Sequence, residues 1–533
     1  MRKKSLLLAA LALALTGCAG PAVSPTASVT PTAQVQPVVV KYGISNAWDA
    51  LMPYNSVSAS NYARMIYDKI YDRLAYVHAD GSLSPRGAVS WESADDGYAV
   101  LFHLDERAAF HDGTPVTAEH WANTLSLMSD PDCPVLGRAN FSGFTGTDAD
   151  GNRVAGEPFG VQAVDAATLK LTFKDPVSPE DFLLEKNREF YVLPTHLLEG
   201  VAPADVMELE LWEQPIGSGP CVFVSELPGS QIKLASNGAY QLGAPGFDEL
   251  VITVMDKSNL LTALIAGDLD YYAIGGSISV EDAEVARSHG LEVQQGTAPN
   301  IFYELMLNGE TIPDAGIRVA IERALDRQLL CQQSSQGQGQ VSDTCVTPGS
   351  PYYVGDGLQV QPRDVEGAKA LLAEASYDGR TYVLACTSNR AGLAALMQQN
   401  LAEANLNVEI ETVDSATLFA GMSAGAYDMA IASHTPGPLP LWFTGSRFAD
   451  NNNIFHVADL APYTDLIGQI RGETDREGRL ALVQRLDALL AEQRPFIPLW
   501  FSTGLHVQSP TVSGIDYASA SFSNENVWAW EKS

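Results

Sequence analysis

Strands and helices alternate between residues 381 and 432, and this alternation limits the possible folds more than any other part of the chain. Residues 381–386, 408–413 and 428–432 have the length and composition of strands. The two segments between them have helical spacing. A βαβαβ run of this kind predicts a parallel sheet with right-handed crossovers, whose ligands bind beyond the carboxyl ends of the strands. We therefore expect a binding edge at residues 387–390 and 433–442.

The amino terminus carries an export signal. Arg2, Lys3 and Lys4 precede an apolar run, residues 5–15, that is too short to span a bilayer. The following Leu15-Thr16-Gly17-Cys18 resembles a bacterial lipobox, in which the chain is cut before the cysteine and Cys18 is diacylated. In the alternative reading, the segment is an ordinary signal peptide and Cys18 is incidental. We interpret residues 1–18 as a lipoprotein signal peptide and residues 19–38, rich in Pro, Ser and Thr, as a disordered linker.

The remaining residues, 39–533, are enough for two or three lobes with large cores. The formal net charge of −32 argues against nucleic acid as a partner, because its phosphates would be repelled. The same charge disfavours binding flat on an anionic membrane. No nucleophile elbow, zinc-protease motif or phosphate-binding loop is present, so we expect no enzymatic activity, no cofactor and no resident metal.

Six cysteines are present, and Cys18 is explained by lipidation. Cys331 and Cys345 flank a loop rich in Gln, Ser and Gly, and we predict a disulfide between them. Such a loop closure is worth roughly 3 kcal/mol. Cys133 and Cys221 are left open as a second pair, and Cys386, in an apolar run, reads as a buried free thiol.

Five segments together resemble the extracellular solute-binding proteins of peptide and nickel ABC importers (family 5, oligopeptide/dipeptide-binding type). They appear in the family's order and extend over most of residues 39–510. The segments are Trp91-Glu92-Ser93 through Phe110-His111-Asp112-Gly113-Thr114-Pro115, Ile216-Gly217-Ser218-Gly219-Pro220, and residues 314–327, 364–375 and 401–431. Cys221 departs from the pattern, since an aromatic residue is usual there.

The resemblance implies an α/β, bilobal, periplasmic-binding-protein-like fold (type II, cluster C) with an extra middle domain. Mapped onto this chain, the middle domain is residues 76–196 and lobe II is residues 299–500. Lobe I is discontinuous and consists of residues 39–75, 197–298 and 501–533. Such a lobe requires two chain crossings, which form a hinge.

The resemblance also implies a function. The chain would be a monomeric, lipid-anchored binding protein on the extracytoplasmic face of the cell membrane. It would capture a peptide-like or small organic solute and deliver it to an ABC transporter permease. The alternative is a binding protein for a nickel or other metal–chelator complex.

The sequence departs from the family where ligand is recognised. Peptide binders of the family place a Trp and an Asp just after the strand that here ends near Ala432, and the Asp pairs with the peptide's ammonium group. Residues 433–440 contain no carboxylate, and no Trp occurs before Trp442. Recognition of an ammonium group is therefore absent, or another segment supplies it.

Six residues are candidates for ligand binding. His434 would ligate a metal complex or bond a carboxylate, or else simply pack or cap a turn. Arg138 and Arg390 would each pair with a ligand carboxylate, or else form surface salt bridges. Trp48, Asn61 and Trp442 would line the cleft, although Trp48 fits a core position equally well.

Overall fold

The computed structural model contains side chains for most of the chain. The described residues are 36–55, 61–78, 80–273, 278–296, 299, 301–353, 360–437, 441–445, 447–449, 452–517 and 526–533. Cys18 lies outside them. No helix in these ranges is both long enough and apolar enough to cross a membrane.

A seven-stranded sheet forms the centre of lobe I. Its order is β12-β21-β11-β1-β10-β9-β8, with β1 parallel to both of its neighbours and the outer pairs antiparallel. The strands are β1 (Val39–Ile44), β8 (Cys221–Leu227), β9 (Gln231–Ser236), β10 (Glu249–Val254), β11 (Tyr271–Ala273), β12 (Glu292–Gln295) and β21 (Leu505–Gln508). The accompanying helices are α1 (Asn61–Ile70), α4 (Lys257–Ala266) and α5 (Val280–Ser288). A short pair, β22 (Val512–Ser513) and β23 (Glu531–Lys532), follows.

A second sheet, of six strands, forms the centre of lobe II. Its order is β14-β20-β13-β17-β15-β16. The strands are β13 (Ile301–Leu307), β14 (Gly339–Val341), β15 (Thr381–Cys386), β16 (Asn407–Thr412), β17 (Met429–His434) and β20 (Phe496–Ser502). Strand β15 pairs in parallel with β16 and β17, which confirms the parallel sheet predicted from residues 381–432.

The helices of lobe II connect and cover this sheet. They are α6 (Ala315–Ala324), α7 (Arg327–Ser335), α8 (Val365–Glu374), α9 (Ala391–Glu403), α10 (Ser415–Ser423), α11 (Leu441–Thr444), α12 (Ala461–Gly472) and α13 (Arg476–Gln493). A two-stranded pair, β18 (Phe448–Ala449) and β19 (Asn452–Asn453), precedes α12.

A four-stranded antiparallel sheet lies in the middle domain, in the order β4-β5-β7-β6. Its strands are β4 (Ala88–Ala94), β5 (Ala99–Leu104), β6 (Val161–Ala163) and β7 (Thr168–Thr172), with helices α2 (Ala118–Met128) and α3 (Pro179–Lys186) and a preceding pair, β2 (Ala75–Val77) and β3 (Leu83–Pro85). Thr117 is the N-cap of α2, and its backbone N–H donates to His120 Nδ1 at 3.2 Å. The exact domain boundaries stay predictions.

The middle domain and lobe I share one hydrophobic core. A single cluster of buried side chains contains Tyr42 of β1 and Ile66 of α1 together with Phe102 of β5 and Phe182 of α3. Two further clusters lie mainly in lobe II and include Phe302 and Leu305 of β13, and the one with Phe302 also contains Leu184 of α3. Because apolar burial is the main stabilising contribution to folding, one core holds lobe I and the middle domain together, and lobe II contacts the middle domain through Leu184.

The chain passes between the two large sheets at two adjacent places. Strand β12 leads into β13, and β20 leads back into β21. The two segments run side by side, since β12 pairs with β21 and β13 pairs with β20. Between them Gly296 N–H donates to Gly504 O at 2.8 Å, and Gln295 Nε2 donates to Thr503 Oγ1 at 2.9 Å. A paired two-strand crossing of this kind lets two bodies rotate without separating.

The predicted disulfide between Cys331 and Cys345 is not formed, and both residues are buried free thiols. The physical reason is that the intervening residues are not a free loop. They include β14, which pairs with β20 and so passes through the sheet edge. Cys331 packs in the same cluster as Leu305, whereas Cys345 packs in the cluster of Phe302. Cys133, Cys221 and Cys386 are also buried free thiols.

The His111 and Gly217 segments, two of the five that resemble the family, contact each other in the structure. His111 Nδ1 accepts a hydrogen bond from Gly217 N–H at 3.2 Å, so Nε2 carries the proton and donates to Gly219 O at 3.1 Å. Gly217 passes so close to α1 that a Cβ there would lie 2.0 Å from Ile70 O, which only glycine avoids. Burial of the ring lowers the pKa of His111 to about 4.

This arrangement predicts a loss of stability in acid. The unfolded chain protonates His111 below its ordinary pKa of about 6.5, whereas the folded protein does not do so until about pH 4. The contribution of the neutral ring is therefore complete above pH 6.5 and falls as the pH drops from 6.5 to 4, by about 3 kcal/mol in total. Urea unfolding at several pH values measures this loss, and His111→Gln should reduce it.

The control is His103→Gln, because the side chain of His103 on β5 is 41% exposed. This variant should show the same pH dependence of stability as the parent. An equal effect of the two variants would refute the assignment.

Candidate functional site

The sheet edge at which we predict ligand binding lies at one end of the lobe II sheet. Strands β15 and β17 are parallel and in register at Leu384 and Met429, so their carboxyl ends, at Cys386 and His434, lie on the same side. The segment after β15 carries Arg390, just before α9, and residues 435–437 follow β17. Loops at the carboxyl ends of parallel strands are where open α/β sheets bind their ligands.

Arg390 is a half-buried cation at this edge. Its guanidinium donates to Ile431 O at 3.1 Å and to Ser433 Oγ, and it lies 5.7 Å from the ring centre of Tyr303. Burial lowers the pKa of Arg390, against the smaller opposing effects of Tyr303 and other groups. Among the described residues it has no carboxylate partner. Arg390 can therefore pair with a carboxylate brought by a ligand.

A second group of charges lies at the same edge, formed by Glu304, His434 and Arg447. Strand β13 pairs with β17, and Phe302 is opposite His434, which brings Glu304 beside the histidine. Glu304 Oε1 lies 2.6 Å from His434 Nε2 and 3.2 Å from Arg447 Nη1. Glu304 is fully buried, and its Oε2 has no hydrogen-bond partner within the described part of the chain. The guanidinium of Arg447 also lies against the imidazole, with Nη2 at 2.8 Å from Nε2.

This group constrains what His434 can do. Its ring is held between a buried carboxylate and a guanidinium, and Phe419 packs 5.6 Å from it, measured between ring centres. No set of three or more His, Cys, Asp or Glu side chains in the described ranges is placed to hold a metal ion. The arrangement suits hydrogen bonding to a polar ligand better than metal ligation.

Sequence reasoning missed Glu304 and Arg447. A signal for Glu304 was present, because it is the single charged residue of an otherwise apolar strand, Ile301–Leu307. A charge in such a strand is buried and needs a partner. The partners lie 130 and 143 residues further on, and sequence pattern alone does not identify them.

Trp48, Arg138 and Asn61 lie apart from this edge. Trp48 is only 9% exposed, belongs to the lobe I core, and donates from Nε1 to Glu226 Oε1 at 2.8 Å. Arg138 donates hydrogen bonds to Pro131 O, Cys133 O and Asn152 Oδ1. These bonds hold together a loop of the middle domain. Asn61 is exposed at the start of α1. Trp442 lies in α11, and its side chain is outside the described part.

Comparison with known proteins gives consistent matches. The family described as bacterial extracellular solute-binding proteins, family 5 middle, matches residues 82–455. Heme-binding protein A of Haemophilus influenzae is 25% identical over 474 residues, covering 84% of each chain. Oligopeptide-binding protein AppA of Bacillus subtilis is 23% identical and covers 81% of this chain and 80% of its own. The crystal structure of the substrate-binding protein CtaP of Listeria monocytogenes superposes with a TM-score of 0.78 at 18% identity, over 93% of this chain and 99% of its own.

Replacement of the buried carboxylate should destabilise lobe II. Glu304→Gln keeps the shape of the side chain but leaves Arg447, which is 13% exposed, without its counter-charge. Breaking a buried ion pair by removing one partner typically costs about 3–5 kcal/mol, and we expect a loss of about 3 kcal/mol in the free energy of unfolding. Urea unfolding measures it. The control is Glu366→Gln, whose carboxylate is 84% exposed beside Lys369 and should change stability by less than about 0.5 kcal/mol. Equal effects of the two variants would contradict a buried ion pair.

Proposed function

Because the chain belongs to the bacterial extracellular solute-binding proteins of family 5, we propose that it captures a peptide-like or small organic solute and delivers it to an ABC importer. The observation that carries the proposal is the paired crossing between the two sheets, β12 to β13 and β20 to β21. Two bodies joined in this way can close on a ligand, and the closed state is a signal that a permease can read. Binding energy is used for closure, and no catalytic step is required.

The chemistry of the edge favours a solute that carries a carboxylate. Arg390 is a cation without a carboxylate partner among the described residues, at the place where a ligand would meet lobe II. The nearby buried carboxylate, Glu304, is already paired with Arg447 and His434. An ammonium group therefore has no evident partner on this edge, whereas a carboxylate does. This is consistent with a blocked, modified or cyclic peptide, or with a small organic acid.

The protein acts at the outer face of the cytoplasmic membrane in this proposal. Cys18 would carry two acyl chains, and two chains anchor a protein stably where one does not. The linker, residues 19–38, would hold the folded body away from the surface.

Cargo capture is tested on the purified protein by native mass spectrometry, followed by denaturation and identification of any released molecule. We expect one bound solute with at least one carboxylate. Release of a peptide with a free ammonium terminus would show that a segment other than residues 433–437 recognises that group. A metal–chelator mass would support the alternative cargo, and a heme mass would align the protein with its Haemophilus relative.

The role of Arg390 is tested with the identified solute. Arg390→Gln should weaken binding by about tenfold, since a charge-assisted hydrogen bond is worth about 1.5–3 kcal/mol. The matched control is Arg380→Gln. Arg380 immediately precedes β15, at the end of the strand opposite to Arg390, and pairs with Asp428 at 3.2 Å. Equal weakening by both variants would remove Arg390 from the site.

The lipid anchor is tested separately. Cys18→Ser should abolish incorporation of labelled fatty acid and shift the protein from the membrane fraction to the soluble extracytoplasmic fraction. Solute affinity should stay unchanged, because the anchor and the lobes are separate parts of the chain. Membrane retention of the Cys18→Ser protein would show that the signal peptide is uncleaved or that another segment anchors it.

A further inference from the structure

A cavity of about 390 Å³ lies between the middle domain and lobe II. One wall is α3 with residues 140–144 and 173–177, and the other is formed by Leu441, Ile470, Arg471 and Arg479. Phe144, Phe173 and Phe182 form its apolar side, which we call the phenylalanine floor. The volume is within the range of small-molecule sites. Glu304, Arg390, His434 and Arg447 do not line it, and the cavity meets the lobe II sheet edge only at Leu441 of α11.

Three cations line this cavity without carboxylate partners in the described part of the chain. Lys174 Nζ donates to Ser142 O at 2.7 Å, and Lys186 Nζ donates to Asn140 Oδ1 at 3.3 Å. Arg471 Nη2 reaches Gly445 O at only 3.5 Å. Acidic residues outnumber Lys and Arg by 64 to 32, so cations in this protein have many carboxylates available for pairing. Lys174 and Arg471 are exposed and Lys186 is half-buried, and their grouping around one cavity makes it a place for an external anion.

Arg479, the fourth cation that lines the cavity, differs from the other three because it has a carboxylate partner. Arg479 is almost fully buried and is paired with Asp181 of α3, and it also donates to Tyr352 Oη at 3.0 Å. This ion pair joins the middle domain to lobe II, so the two walls are held together beside the cavity. Arg479 and Asp181 satisfy each other and leave the remaining cations to define the charge of the cavity.

Glu185 is the carboxylate that faces these cations from α3. No hydrogen bond or ion pair is formed by its side chain with any described residue, although it lines the cavity. Burial raises the pKa of Glu185, while the charges of Lys186 and Arg471 oppose that rise. The other carboxylates of the lining are Asp175, which is exposed at the rim, and the paired Asp181. When protonated, Glu185 would donate a hydrogen bond to an anion instead of repelling it.

We propose that this cavity binds a small organic carboxylate with an apolar body. The carboxylate lies among Lys174, Lys186 and Arg471, and the apolar body covers the phenylalanine floor. Because the walls come from two different bodies, an occupant bridges them and stabilises their contact. The site does not use Arg390, His434, Glu304 or Arg447 of the proposed cargo site and adjoins that site only at Leu441, so it stands whether or not that proposal is correct.

The test uses full-length purified protein and 4-fluorobenzoate as the probe, followed by fluorine NMR line broadening. The neutral isostere 4-fluorobenzamide reports on binding that does not depend on the charge. Three variants are compared with the parent. Arg471→Gln removes a cation of the cavity, Glu185→Gln mimics the protonated carboxyl, and Arg390→Gln alters the cargo edge only. Lys369→Gln, which alters an exposed ion pair on α8, controls for net charge.

We expect saturable binding of 4-fluorobenzoate and none of 4-fluorobenzamide. Arg471→Gln should weaken binding by about tenfold, while Arg390→Gln and Lys369→Gln leave it unchanged. Glu185→Gln should strengthen binding at neutral pH and abolish the increase in affinity that the parent shows on acidification. An equally folded Arg471→Gln protein that binds as the parent does, or loss of binding in Arg390→Gln instead, would overturn the proposal. So would absence of saturable binding, or a weakening by Glu185→Gln.

Discussion

Two buried ion pairs beside α1 are the constraint on which the rest of the structure depends. Arg73 Nη2 lies 2.6 Å from Asp68 Oδ1, and Arg86 pairs with Asp72, all four side chains being at most 3% exposed. Tyr191 Oη donates to Asp68 at 2.7 Å, which adds a middle-domain residue to the group. Removing one partner of a buried pair typically costs about 3–5 kcal/mol, because the other charge is left without compensation. The pairs therefore specify how α1 meets the middle domain.

The hinge follows from this constraint. Lobe I and the middle domain share both the ion pairs and one hydrophobic cluster, and we expect the paired crossing to lobe II to be the place where rotation occurs. The edge with Arg390 and His434 and the cavity with Glu185 and Arg471 both involve lobe II. The contacts of residues at such a junction depend on the relative position of the two lobes. A ligand that binds there can therefore favour one position over another, which is what solute capture requires.

How well the sequence predicted the candidate site depended on how far apart in the chain the interacting residues lie. Arg390 and His434 were placed at one edge because strand and helix periods are local, and parallel strands bring their carboxyl ends together. Arg138 and Trp48 were assigned to the cleft from type and order alone, and the structure shows them bonded to a neighbouring loop and to Glu226. Glu304 and Arg447 were missed because their contacts join distant segments.

The sequence by itself determined the parallel part of lobe II and the family, because periodicity and turn motifs are properties of short segments. Tertiary structure alone decided which charges are paired. It placed Glu304 against Arg447, left Lys174, Lys186 and Arg471 together without carboxylates among the described residues, and kept Cys331 apart from Cys345. Pairing depends on distances of a few ångströms between residues far apart in the chain, and only the packed fold sets those distances.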